Sequence, residues 1–69
     1  MSVRLWAVYE RPLDYPSSYV ARLWDGEHAT GSIVIAPDLE LLREQMMQMR
    51  LTRILRRADD DPVIVEVWL

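Results

Sequence analysis

Pro62-Val63-Ile64-Val65-Glu66-Val67-Trp68-Leu69 (PVIVEVWL) reads as a β-strand on composition alone. Five of the eight residues are β-branched or Trp, types that favour the pleated, half-buried surface of a sheet. Pro62 donates no hydrogen bond and suits a strand's first position rather than its interior. Period-two alternation sends Val63, Val65, Val67 and Leu69 to one face and Ile64, Glu66 and Trp68 to the other. So apolar a segment must pair with strands from earlier in the chain or from another copy.

Upstream, residues 3–10 alternate in the same way, with Leu5, Ala7 and Tyr9 opposite Arg4, Trp6, Val8 and Glu10. Residues 11–18 hold two prolines with Asp14 and two serines, which marks a loop. Residues 19–24 form a second strand, with Tyr19, Ala21 and Leu23 on one face and Val20, Arg22 and Trp24 on the other. These two strands are expected to form an antiparallel hairpin. Residues 25–31 carry the chain's two glycines and read as a loop; residues 32–36 (SIVIA) are a short third strand. Asp38 then caps a helix over residues 39–49, its carboxylate accepting from first-turn amides, with Glu40 suited to the helix dipole. Leu39, Leu42, Met46 and Met49 make its apolar stripe. Residues 51–57 (LTRILRR) fit either a helical extension or a short strand, and residues 58–62 are a turn. The expectation is one α+β domain over residues 1–69: a two-layer sandwich in the order β-β-β-α-β, with a three- to four-stranded, mostly antiparallel sheet and one helix on one face.

A single helix covers one face of a sheet. The aliphatic sets are the natural ones for it: Leu5 and Ala7, Ala21 and Leu23, Val63 to Leu69. Parity then collects Trp6, Trp24 and Trp68 on the other face, with Arg22, Glu66, Val8, Val20 and Ile64, provided that no bulge intervenes. A loop or a second copy could cover that face. It could also be a binding surface, since Trp and Arg are enriched at binding hot spots. Arg22 and Glu66 could pair across neighbouring strands.

Composition narrows the function classes. Sixty-nine residues at 51% hydrophobic make one globular domain. A chain of this size buries only about 60% of its unfolded surface. Cys is absent and His28 stands alone, so neither disulfides nor zinc reinforce the core. A homodimer is the expected support. The first residues, MSVRLWAVYERP, lack the apolar core of a signal peptide, and no run approaches the roughly 20 apolar residues of a membrane span. A cytoplasmic protein without a membrane partner is expected. Net charge is −3, which disfavours nucleic acid. All eight basic residues are Arg, a bias that a GC-rich genome would produce.

No motif brings a nucleophile and a base together, so no catalytic residue is assigned and an enzyme is not expected. His28 reads as a solvated loop residue. The Asp59-Asp60-Asp61 run lacks the spaced ligands and glycine of a calcium loop, so no metal or cofactor is assigned. Arg50, Arg53, Arg56 and Arg57 are the one basic cluster; Arg50, Arg53 and Arg57 would share a face if the helix continued, as a solvated helix end or as an anion site. The loop at residues 11–19 carries Arg11, Asp14 and Tyr15 among prolines, a rigid aromatic loop of the kind that binds. The expected binding set is therefore Trp6, Arg11, Asp14, Tyr15, Arg22, Trp24, Glu66 and Trp68.

Two stretches, YERPLDYP at residues 9–16 running on to YVARLW at 19–24, and DDPVIVEVWL at 60–69, resemble a family of short uncharacterised proteins of bacteria and their phages. The resemblance carries over no catalytic residue. It implies a compact protein encoded by a phage or prophage, and so a non-catalytic interaction protein that docks on a host protein of defence or regulation. The alternative expectation is a binder that sequesters a small anionic ligand of nucleotide type, with aromatic rings stacking a base and Arg holding phosphate.

Overall fold

The computed structural model describes residues 3–54 and 64–69. The elements run β1 (Arg4–Glu10), β2 (Tyr19–Asp25), β3 (His28–Ala36), α1 (Leu39–Gln48), β4 (Arg53–Ile54) and β5 (Ile64–Trp68). All strand pairs are antiparallel, in the order β3-β2-β1-β5-β4. The α+β architecture and, among the described residues, the single helix agree with the sequence reading. The sheet has five strands rather than three or four, because Arg53 and Ile54 pair with Trp68 and Val67. Thr52 and Leu69 extend that ladder, each amide donating to the other's carbonyl at 2.9 Å. Among the described residues no helix is long and apolar enough to cross a membrane.

The third strand is longer than its apolar run, and His28 opens it instead of lying in a loop. Asp25 and His28 pair across the two residues Gly26 and Glu27. Gly26 has φ of 63°, the left-handed backbone that a tight hairpin needs at its first turn position and that glycine adopts without a Cβ penalty. Further along, the register shifts between Arg22 and Trp24, whose partners Ile33 and Ala29 lie four residues apart. Thr30 bridges that bulge. Its hydroxyl donates to the Leu23 carbonyl at 3.0 Å and accepts from the Ser32 amide at 3.1 Å, replacing ladder bonds that the bulge interrupts.

Asp38 caps α1 as expected, its carboxylate accepting from the Leu41 amide at 2.9 Å. The helix stops at Gln48. Arg50 follows with φ of 60°, its amide donating to the Met47 carbonyl at 2.9 Å while that of Leu51 reaches Met46 at 3.2 Å. This pair of bonds is a Schellman motif, with Leu51 packed against the core beside it. Arg50 and Arg53 therefore share no helical face: Arg50 is past the helix end and Arg53 sits in β4. Met49 is the C-cap and is exposed rather than part of the buried stripe. Val63, Arg56, Arg57 and the acidic turn at 58–62 lie outside the described residues.

The core joins Leu42 and Met46 of α1 to Val8, Ala21, Ala36 and Trp68, all buried. Trp6, Tyr19, Val34, Leu39, Leu51 and Val65 pack around it. The helix rests on β2 and β3, where Ala21 and Ala36 leave room for a close approach. Trp6 and Trp68 pair directly across β1 and β5 and thicken the same layer beside the helix. Burial of each large apolar side chain contributes about 1.5–3 kcal/mol.

Left-handed backbone costs an L-residue roughly 1–2 kcal/mol. Arg50→Gly is therefore expected to stabilise the protein by about 1 kcal/mol, raising Tm by about 4–8 °C. A thermal melt followed by circular dichroism checks this; an unchanged or lowered Tm contradicts it.

Candidate functional site

The register assigns each side chain to a face. Trp6, Val8 and Glu10 lie opposite Leu23, Ala21 and Tyr19 in β2, and Trp6 and Val8 lie opposite Trp68 and Glu66 in β5. The core contacts place this set under α1. Leu5, Ala7 and Tyr9 pair with Trp24, Arg22 and Val20 on the reverse face, joined by Val67, Ile64, Ile33 and Ile35.

The three tryptophans are thus divided. Trp6 and Trp68 belong to the helix layer with Val8 and Glu66, and only Trp24 is on the helix-free face. Leu5, Ala7 and Val67 are correspondingly away from the helix, and Leu69 is exposed. Ala21, Leu23 and Val65 are helix-side as expected. Alternation holds in β1, where Trp6 and Val8 rather than Leu5 and Ala7 face the helix, while in β5 Glu66 and Trp68 face the helix and Val67 does not. A bulge at Val65 contributes: Val8 faces Glu66 whereas the next residue, Tyr9, faces Ile64. One inserted residue moves Ile64 to the face opposite Glu66.

Two polar constellations result, and Arg22 and Glu66 do not pair with each other. The first is centred on Glu66, which is only 5% exposed. Arg43 of α1 donates through Nε at 2.7 Å and Arg53 of β4 through Nη1 at 2.9 Å, both to Oε2. The Trp68 indole N–H points at Oε1 at 3.4 Å. Burial pushes the Glu66 carboxyl up, but the arginine hydrogen bonds outweigh it and hold the group below its usual range. The same contact raises Arg43. A carboxylate held charged by two guanidinium groups is a poor proton donor near neutral pH; its work here is to tie α1, β4 and β5 together. Arg43 was missed in the sequence. Its signal was position: a cation next to Leu42 on the helix is the available partner for a lone carboxylate inside an apolar strand.

The second constellation is on the helix-free face. The 11–18 loop closes through Arg11 N–H to the Ser18 carbonyl at 3.0 Å and Tyr15 N–H to the Pro12 carbonyl at 2.9 Å. This brings Asp14 onto Arg22, and the two form an ion pair. The hydrogen bond from Arg22 holds the Asp14 carboxyl below its usual range. The Arg22 guanidinium also lies 5.7 Å from the centre of the Tyr9 ring, within cation–π range. Trp24 stands two residues along the same face. Of the expected binding set, Asp14, Arg22 and Trp24 are brought together here, and Tyr9, Ile33 and Ile35 join them unexpectedly. Arg11 is exposed on left-handed backbone, and Tyr15 is half-buried within the loop. Among the described residues no group of three or more His, Asp or Glu side chains could hold a metal ion; the Asp59–Asp61 run lies outside them.

No family model, curated protein or solved structure matches the chain.

Glu66→Gln leaves two arginines facing a neutral amide. Because both are partly solvated, a loss of about 1.5–3 kcal/mol is expected. The folded-state carboxyl titrates below its unfolded value of about 4.3. Its stabilisation is therefore complete above that pH and is lost as pH falls through the lowered value. Urea unfolding at pH 7 and at acid pH should show the gap between wild type and Glu66→Gln shrinking with acidification; a gap that stays constant contradicts the assignment.

Proposed function

We propose that this chain is a non-catalytic interaction protein whose working surface is the sheet face away from α1, built on Tyr9, Asp14, Arg22 and Trp24. One observation carries the reading. Arg22 pairs with the Asp14 carboxylate and lies over the Tyr9 ring, which narrows the conformations open to an arginine on an aromatic-bearing face. Preorganised Arg and Trp are the residue types that dominate protein interfaces. The resemblance to bacterial and phage proteins extends the reading to a host protein of defence or regulation as the partner.

Nucleotide-type binding is the second reading, favoured by Arg22 over the Tyr9 ring with Trp24 on the same face. It requires phosphate to displace Asp14, which already neutralises the guanidinium.

The test compares wild type with Trp24→Ala and Arg22→Ala, both on the face that spares the core. Proteins captured from bacterial lysate by immobilised wild type are purified and their affinities measured directly. The expected result is a partner that binds wild type and loses at least about tenfold in affinity with either variant. If no captured protein discriminates wild type from Trp24→Ala, the proposal fails. A thermal-shift screen separates the second reading, since a ligand at 100 times its Kd adds about 2.7 kcal/mol of stability.

A further inference from the structure

Strand β3 forms one edge of the sheet. Among the described residues β2 is its one neighbour, so its outer row of backbone groups has no ladder partner there. Edge strands are commonly protected by Lys, Pro or inward-pointing charge. Residues 32–36, Ser-Ile-Val-Ile-Ala, contain none of these. The bulge at residues 29–33 protects only the first half of the strand. Beyond it Ile33 and Ile35 stand more than a third exposed on the helix-free face.

The segment is also palindromic in side-chain size about Val34: small, Ile, Val, Ile, small. A two-fold contact demands self-complementarity. An antiparallel pairing with Val34 opposite Val34 of a second copy sets Ile33 against the partner copy's residue 35, and Ser32 against its residue 36. Both isoleucine pairs then fall on one face as apolar cross-strand contacts.

The helix supports the same axis. Arg43 reaches toward β5 through Glu66. At 100° per residue, Leu41, Gln45 and Met49 lie on the opposite flank of α1, toward β3. Leu41 and Met49 are both more than 40% exposed there. A two-fold axis perpendicular to the sheet brings the two helices to the same side with these flanks adjacent.

We infer that β3 pairs antiparallel with β3 of a second copy about Val34, extending the sheet across a homodimer. The inference rests on the strand edge, and although Ile33 lies opposite Arg22, the two readings are tested by different measurements: solution mass for this one and partner affinity with Trp24→Ala for the other, so either can fail alone. An interface this short belongs at the low end of specific contacts, below about 1,200 Å², and the dimer is expected to depend on concentration.

Sedimentation equilibrium over a broad concentration series tests it. Wild type should move toward twice the 8.1 kDa monomer mass. Ile33→Lys/Ile35→Lys, which sets like charges opposite each other, should remain monomeric while keeping its circular dichroism spectrum. Ile33→Lys/Ile35→Glu sets opposite charges against each other in this register and should recover dimer. Hydrogen exchange on wild type provides a readout without substitution: amides of residues 32–36 should gain protection as concentration rises. A strictly monomeric wild type overturns the proposal. So does a dimer that survives the double-lysine variant, failure of the Lys/Glu variant to recover dimer, or protection that rises elsewhere but not in β3.

Discussion

The buried carboxylate of Glu66 is the constraint on which the arrangement of the domain turns. Burying a charge is costly unless it is paired and hydrogen-bonded. In this chain the cations that meet it come from α1 and β4. Glu66 must therefore face the helix, and that choice carries the rest of its strand. Trp68, two residues on, faces the helix too. Through the β1–β5 register, so do Val8 and Trp6. A short helix and a two-residue strand, neither stable alone, are thereby joined to the centre of the sheet.

The core is shaped accordingly. Ala21 and Ala36 lie where α1 approaches the sheet, and the bulk that they forgo is supplied by the Trp6–Trp68 pair alongside. Small residues beneath a helix and large ones beside it fill one layer at even density. Turned the other way, the Leu5–Ala7 and Val67 set would leave Glu66 without its arginines and two tryptophans on the far side.

The reverse face receives what remains: Tyr9, Arg22 and Trp24 around buried Ala7 and Val20, with the isoleucines toward the β3 edge. It is not a row of tryptophans but a mixed surface, in which the 11–18 loop orders an arginine against an aromatic ring. Its polar and apolar parts meet where Arg22 lies opposite Ile33.

Much of the fold was legible from local chemistry. The strand alternation of residues 3–10 and 19–24, the Asp38 cap, the helix over Leu39 to Gln48 and the terminal strand all follow from short-range preferences that need no partner. The site was legible only in part. Asp14, Arg22 and Trp24 could be picked out by type, and Asp14 lies in the loop immediately before the Arg22 strand. Trp6, Glu66 and Trp68 could not be placed correctly, because period two separates the faces within a strand but not which face of one strand aligns with which of the next. That phase is set by inter-strand register, by the bulges at Val65 and around Thr30, and by the side that Arg43 occupies once the helix has docked. The sequence by itself determined β1, β2, the helix with its Asp38 cap and the terminal strand, but not where β3 begins, that β4 forms, or the bulge in β5. Only the tertiary structure decided which alternate meets the helix, since that depends on pairing a buried carboxylate with guanidinium groups 13 and 23 residues away.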